Sequence, residues 1–335
     1  MRMARVSRLA ILAFLAVLSG GVAAQAQESA FQLVLPIACD IGRTCLVQHL
    51  VDRDPGPGAR DYMCGTLTND GHNGVDFRVP GLASMRAGVD VLTAADGTVA
   101  AVRDGMPDRS VRETGPEAVA GTECGNGVRI THRNGWETQY CHMAEGSIQV
   151  SPGQIVAAAE KIGRVGLSGQ TEFPHLHLTV RRDGEVIDPF AAEGDDQSCD
   201  DRRSVWAPDV LAQLSYRAPA ILNTGFADHP VTMEEIEAGT AGLQQLTAVS
   251  PALVAFARAI GLSAGDTESM TIRGPDGAVL VKDDSAPLDR SKAQMMKFVG
   301  KRRPADGWPK GAYTATYSIL REGRVVTEQT FDVTL

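Results

Sequence analysis

Aromatic residues are scarce in this 335-residue chain, at 5%, whereas glycine is frequent, with 35 residues. This balance favours strands and turns over long packed helices. Positive charge is also in deficit, since 32 Lys and Arg face 41 Asp and Glu for a net charge of −9. Nucleic-acid affinity depends on clustered cations that displace counterions, so we expect no nucleic-acid partner. Hydrophobic residues at 43% and charged residues at 22% exclude a disordered chain or a multi-span membrane protein.

The chain begins with the pattern of a secretory signal. Arginines within residues 1–8 are followed by an apolar run at 9–18 and then by small residues up to Ala26. The apolar run is too short to cross a bilayer core of about 30 Å. An uncleaved anchor or a buried helix is the alternative interpretation. We predict a signal peptide at 1–26, export to the periplasm or the extracellular space, and no transmembrane anchor after cleavage.

The cysteines agree with an oxidising compartment. A hairpin is predicted over 127–140, with a turn at 133–135 between its strands. It would place Cys124 and Cys141 on adjacent strands, and we therefore predict a disulfide between them. The other four cysteines would pair among themselves and tie the flanks of this region together: Cys39, Cys45, Cys64 and Cys199. A zinc site built from cysteines is the alternative interpretation, and it has little support because no C-x-x-C spacing occurs.

Composition divides the rest of the chain. Residues 27–60 form an irregular lead-in, residues 61–190 show short β-type runs, and 104–123 is a polar, Gly- and Pro-rich stretch that we interpret as a long surface loop. An acidic break at 192–203 reads as a linker. Beyond it, five to seven strands predict an immunoglobulin-like β-sandwich at 196–335, although 253–260 and 234–246 would also suit helices. This accessory domain carries no catalytic pattern and could bind a cell-wall or envelope protein.

Two histidine motifs suggest a metal site. His72 precedes Asp76 by four residues, and Gly74 between them would let the backbone turn so that the side chains converge. His175 and His177 alternate along a predicted strand, so both imidazoles project from one face. Zinc accepts nitrogen and carboxylate oxygen ligands at about 2.0–2.2 Å, and a catalytic zinc keeps one position for water. His72, Asp76 and one histidine of the pair would complete such a site.

His142, at the end of the predicted hairpin, and the remaining histidine of the pair would then be left without a metal. Unligated imidazoles suit general acid–base chemistry near neutral pH. Each motif alone has an ordinary structural interpretation, because a histidine near a turn or on a strand face is often only solvated. Their combination is much more specific than any one of them.

The motifs together resemble the lysostaphin-type (LytM-like) zinc metallopeptidases. The matching pattern runs through about 120 residues, from His72-x-Gly-x-Asp76, through Gly127–His142 and Gly153–Gly169, to Pro174-His-Leu-His177. The resemblance implies a small antiparallel β-domain with a groove, which we place at 61–195. It also implies one Zn²⁺ held by His72, Asp76 and His177, with His142 and His175 as the catalytic pair. Members of the family cut peptide cross-links of bacterial peptidoglycan.

Some positions depart from the family pattern. Cys141 and Met143 flank His142 where a small residue and leucine are expected, and 170–173 replaces a shorter run before the histidine pair. These departures leave the ligand set intact and affect the expected shape of the groove. Asn126 and Thr171 are our candidates for contacts with substrate. Either His142 or His175 could take the proton of the zinc-bound water, the other serving the oxyanion or the leaving amine.

Three functional hypotheses follow. The first is a zinc metalloendopeptidase that hydrolyses peptidoglycan cross-links. The second is a non-catalytic relative that binds peptidoglycan and activates another cell-wall hydrolase; such relatives typically lack a ligand, and none is missing here. The third is an exported zinc-binding or adhesive protein without hydrolytic activity. We favour the first.

Overall fold

The computed structural model describes residues 30–192, 199 and 203–335. The predicted signal peptide at 1–26 lies outside the described residues, and so does most of the acidic break, including the predicted domain boundary at 195/196. That boundary therefore stays a prediction. Among the helices of the described ranges, none combines the length and apolar character needed to cross a membrane.

Short antiparallel strands make up the first half of the described chain. In chain order they are β1 (Leu46–His49), β2 (Val75–Arg78), β3 (Asp90–Leu92), β4 (Gly97–Arg103), β5 (Asn126–Thr131), β6 (Trp136–Met143), β7 (Ile155–Val156), β8 (Lys161–Arg164), β9 (His175–Arg182) and β10 (Glu185–Val186). One sheet follows the order β1-β2-β9-β6-β5-β4-β7, with β10 paired to β9, while β3 and β8 form a separate pair. Helices α1 (Leu82–Ala87) and α2 (Val111–Thr114) and two 3-10 turns, Pro116–Val119 and Arg133–Gly135, lie between strands.

The predicted hairpin is confirmed as β5 and β6. Asn134 and Gly135 in its turn have φ of 57° and 74°, the left-handed conformations that tight hairpin turns require. The hairpin brings the Cα atoms of Cys124 and Cys141 to 4.8 Å, and the predicted disulfide between them is present. The other cysteines also pair among themselves, as Cys39–Cys45 and Cys64–Cys199.

The stretch 104–123 is more ordered than a plain surface loop, since it contains α2 and the 3-10 turn that follows it. Ser110 caps α2 by accepting a hydrogen bond from the backbone N–H of Arg112. Asp104 and Asp108 accept backbone N–H groups from 145–148 and from Leu167. These carboxylates tie the stretch to the rest of the sheet domain, which the composition of the stretch does not reveal.

The second half is a sandwich of two antiparallel sheets. After α3 (Pro208–Gln213) come β11 (Ala220–Ala227), α4 (Met233–Ala238), β12 (Ala252–Leu262), β13 (Thr267–Arg273), β14 (Val279–Asp284), β15 (Lys292–Arg302), β16 (Ala312–Arg321) and β17 (Arg324–Thr334). The sheets follow the orders β11-β12-β15 and β14-β13-β16-β17, and residues of both build one hydrophobic core. The ambiguous segment 253–260 is a strand, and 234–246 begins in helix α4. The mostly β, antiparallel fold class is confirmed, while the immunoglobulin-like assignment stays a prediction.

A buried charge network joins the two halves within the compact unit 32–335. Arg78 on β2 and Arg258 on β12 are 1% and 0% exposed, and both bind the same carboxylate oxygen of Glu237 on α4. Arg78 also donates to the side-chain oxygens of Gln48, at 2.7 Å, and Gln294, at 3.2 Å. Burial, followed by the nearby Arg258, lowers the pKa of Arg78 to about 9, so its guanidinium still carries charge at neutral pH. The C-terminal half therefore makes a salt bridge and a hydrogen bond to β2, the strand that carries Asp76.

Candidate metal centre

A row of side chains crosses four neighbouring strands. His49 on β1 lies directly opposite Asp76 on β2, Asp76 opposite His177 on β9, and His177 opposite Cys141 on β6. Directly opposed residues in an antiparallel sheet project from the same face, so the strand register itself assembles this cluster. His175, two residues before His177, joins the same face.

The alternation predicted for β9 is present in the structure. The Nδ1 atom of His177 lies 2.8 Å, and the Nε2 atom of His175 lies 3.3 Å, from Oδ1 of Asp76. Leu176 and Leu178 are fully buried. The two imidazoles therefore share one carboxylate oxygen.

Asp76 is the hub of the cluster. Its second oxygen, Oδ2, lies 3.2 Å from Nε2 of His72 and 3.1 Å from Nδ1 of His49. Burial alone would raise the pKa of Asp76, but the charges of His175 and His72 and the hydrogen bonds from the cluster outweigh it and hold that pKa well below the usual range. The carboxylate is thus ionised in the folded protein.

Burial and the Asp76 carboxylate have opposite effects on the pKa of the imidazoles of His72, His142 and His177, and the net direction differs from one histidine to the next. Burial lowers the pKa of His177. Burial also opposes charge on His72, but the Asp76 carboxylate outweighs it and the pKa of His72 is raised. For His142, burial and then the neighbouring imidazoles of His175 and His177 hold the pKa well below its ordinary value. A neutral His142 is available for proton transfer at neutral pH.

The orientation of the donor atoms fits a divalent cation. Nδ1 of His72 donates to the carbonyl of Leu50 at 2.7 Å, which leaves Nε2 as a bare nitrogen facing Asp76. Nε2 of His177 lies 3.1 Å from the side-chain oxygen of Asn73, and donation there leaves Nδ1 bare towards the same carboxylate. In these neutral forms, two unprotonated imidazole nitrogens converge on an ionised carboxylate, an arrangement that accepts either a proton or a divalent cation. Two imidazoles and one carboxylate are a donor set that zinc accepts.

His142 and His175 lie side by side, with ring centroids 4.7 Å apart. His142 has a φ of 60°, held by its N–H bond to the carbonyl of Cys124 and by a 2.8 Å bond from Nδ1 to the carbonyl of Ser168. Nδ1 of His175 donates to the carbonyl of Phe173 at 2.9 Å. Each ring is thereby fixed with Nε2 as its proton-accepting nitrogen.

The two candidate substrate contacts have different positions. Asn126 is fully buried, and its amide bonds to the backbone of Met106 and Met143, so it anchors the stretch 104–123 and does not face the groove. That prediction is corrected, because the amide is consumed by backbone partners. Thr171 does line the groove, and its hydroxyl lies 3.2 Å from Nδ1 of His175.

The role of Gly74 is also corrected. Its φ lies outside the left-handed region, so the backbone turn predicted from the sequence is not what requires glycine here. A Cβ at this position would instead lie 2.5 Å from Nε2 of His177 and 2.7 Å from the carbonyl oxygen of Leu178. Glycine is needed so that the backbone of the His72 motif can approach β9.

A groove of about 850 Å³ surrounds the cluster. Part of its wall comes from Val111 and Arg112 of the stretch 104–123, and another part from Ala293 and Gln294 of the C-terminal half. Amide side chains are common in the lining, and they are Gln48, Asn69, Asn73, Gln139, Gln170 and Gln294. Such groups can donate to and accept from peptide backbones.

Comparison with known proteins shows which family the region around the cluster resembles. The profile of peptidase family M23 matches residues 70–189. The peptidoglycan DD-endopeptidase ShyA of Vibrio cholerae is 32% identical over 121 residues, which are 36% of this chain and 23% of that protein. The DD-carboxypeptidase/endopeptidase Mpg of Neisseria meningitidis is 31% identical over 125 residues, 36% of this chain and 22% of that protein. The chain thus spans less than a quarter of the length of these relatives.

Among solved structures, the catalytic domain of lysostaphin from Staphylococcus simulans is 23% identical, with a TM-score of 0.26, covering 35% of this chain and 75% of that one. The matched region contains His72, Asp76, His142, His175 and His177 and excludes His49. The resemblance recognised from the sequence motifs is confirmed for residues 70–189, which match the model of peptidase family M23.

Proposed function

We propose that this chain is an exported zinc metalloendopeptidase that hydrolyses peptide cross-links of bacterial peptidoglycan, acting in the periplasm or outside the cell. The observation that carries the proposal is the arrangement of His72 and His177 on opposite oxygens of Asp76, with His142 and His175 beside them. ShyA, named a peptidoglycan DD-endopeptidase, supports the substrate class, and Mpg is named a DD-carboxypeptidase/endopeptidase. The three disulfides agree with an oxidising compartment.

His72, Asp76 and His177 would hold the ion. Bound zinc supplies an acidified water and polarises a carbonyl. The protein's own part is to orient and to move protons: the carbonyls of Ser168 and Phe173 fix the imidazoles of His142 and His175 with Nε2 as acceptor. Those two nitrogens serve the proton transfers to and from the reacting groups.

A digest of purified cross-linked peptidoglycan by the full-length mature chain tests this function. We expect cross-linked muropeptides to be converted to uncross-linked ones, the reaction to stop on chelation, and added zinc to restore it. Chromatography of the released peptides measures the conversion, with a His177→Ala variant as the inactive control. Binding to peptidoglycan without any release would support the non-catalytic alternative. Unchanged release by His177→Ala would overturn the ligand set.

Gly74→Ala tests the packing of the site without removing a ligand. Because its Cβ would collide with His177 and with the carbonyl of Leu178, we expect zinc affinity to fall by about tenfold or more. Gly56→Ala is the matched control, since its Cβ would approach only the side chain of Asp54, at 3.2 Å. Competition with a chromophoric chelator measures both variants. Equal affinities in the two would contradict the close approach at Gly74.

A further inference from the structure

The end of β1 builds part of the metal centre from outside the matched family region. The carbonyl of Leu50 accepts from Nδ1 of His72 at 2.7 Å. The carboxylate of Asp52 accepts from the N–H of Gly71, and the N–H of Asp52 donates to the carbonyl of His72 at 2.8 Å. Residues of the predicted lead-in 27–60 therefore fix the orientation of His72.

His49 lies in the same segment and contacts the other central ligand. It stands directly opposite Asp76 in the strand register, and its side chain is only 12% exposed. Nδ1 of His49 lies 3.1 Å from Oδ2 of Asp76. Nε2 faces the side-chain amide nitrogen of Asn69 at 3.4 Å. Donation from that amide makes Nε2 the acceptor, so Nδ1 carries the hydrogen and donates to Asp76.

We propose that His49 is a positioning residue of the metal centre, which acts through Asp76 by holding its Oδ2 atom. This inference rests on the proposed zinc site. A carboxylate ligand that is hydrogen-bonded by its surroundings keeps its orientation, and loss of such outer partners typically costs about 10- to 100-fold in metal affinity. Direct ligation by His49 would give four protein ligands, the closed arrangement of structural zinc, whereas hydrolysis needs an open position for water.

The test compares zinc affinity in three variants of the full chain. His49→Ala removes the donor, and we expect zinc affinity to fall about 10- to 100-fold. His49→Asn places an amide nitrogen close to the position of Nδ1 and should restore most of the affinity, whereas His49→Gln places its amide nearer the position of Nε2 and should not. The comparison of Asn with Gln holds even if the alanine variant fails to fold. His229→Ala, a histidine bonded to Asp228 and Glu235 on the sandwich, is the control.

The cobalt-substituted proteins give a second readout. We expect the d–d absorption bands of His49→Asn and wild type to coincide, because the same three protein ligands remain. A changed coordination spectrum would make His49 a ligand and overturn the positioning role, as would equal zinc affinity in the Asn and Gln variants. If the zinc site itself were wrongly assigned, His177→Ala would retain zinc, and this result distinguishes that error from an error in the role of His49. Normal zinc binding without peptidoglycan cleavage would reject the proposed function and leave the role of His49 standing.

Discussion

Replacing either His142 or His175 by alanine should lower the rate of cross-link hydrolysis by about 10²- to 10⁴-fold, with one zinc per chain retained. The magnitude is that of losing one positioned acid–base group. Both rings are fixed by backbone carbonyls and lie 4.7 Å apart, outside the predicted ligand set. Initial rates on purified peptidoglycan and zinc content by mass spectrometry measure the two parts of the prediction.

The double variant sharpens the prediction for the imidazole pair. If His142 and His175 serve the same proton transfers, removing both should cost little more than the worse single substitution, because groups that act as a unit are strongly non-additive. His229→Ala provides the matched control and should leave the rate unchanged. A single variant that lost its zinc would move that histidine into the ligand set and contradict the assignment.

Glu237→Ala should destabilise the folded protein by about 3–5 kcal/mol. Glu237 accepts from Arg78 and Arg258, which are almost completely buried, and removal of one partner from a buried ion pair leaves uncompensated charge. The effect should appear as a lower urea midpoint for unfolding. It should be as large in a chain whose metal site has been emptied by chelation, because the network does not include a predicted ligand.

The exposed pair of Arg112 and Glu172 is the control for this substitution. Its charged atoms are 2.6 Å apart, but the two side chains are 60% and 49% exposed. Exposed ion pairs typically contribute about 0–1 kcal/mol, so Glu172→Ala should change the free energy of unfolding by no more than that. If Glu237→Ala lowered the free energy of unfolding as little as Glu172→Ala does, the charges of the buried arginines would have to be compensated by other groups.

The parts of the site that could be predicted from sequence are those fixed by local geometry. Strand alternation is enough to place His175 and His177 on one face, and a short hairpin is enough to bring Cys124 and Cys141 together. Both depend on residues close in sequence, where backbone period and turn type set the distances. The same reasoning could not show that Asn126 is consumed by backbone partners, because burial depends on where the stretch 104–123 folds back.

The position of His49 could not be predicted from the sequence. Its sequence neighbours form no motif, and its position opposite Asp76 depends on the pairing of β1 with β2, across 27 residues of chain. Likewise, the contact between Arg78 and Glu237 joins positions 159 residues apart. A single sequence carries no signal for such pairings, although a histidine at the end of a short strand, such as His49 after Leu46-Val47-Gln48, is a reason to look for a partner.

Because Arg78 and Arg258 share the carboxylate of Glu237, we expect that residues 70–189 cannot be moved into another protein on their own. Grafting 70–189 onto another scaffold would carry Arg78 along and leave its counter-ion behind, together with the carbonyl of Leu50 that orients His72. A self-sufficient graft would have to start at or before β1 and to receive an acidic side chain from its new host. The matched range 70–189 is thus shorter than the part of this protein that we expect to keep its metal site after transfer.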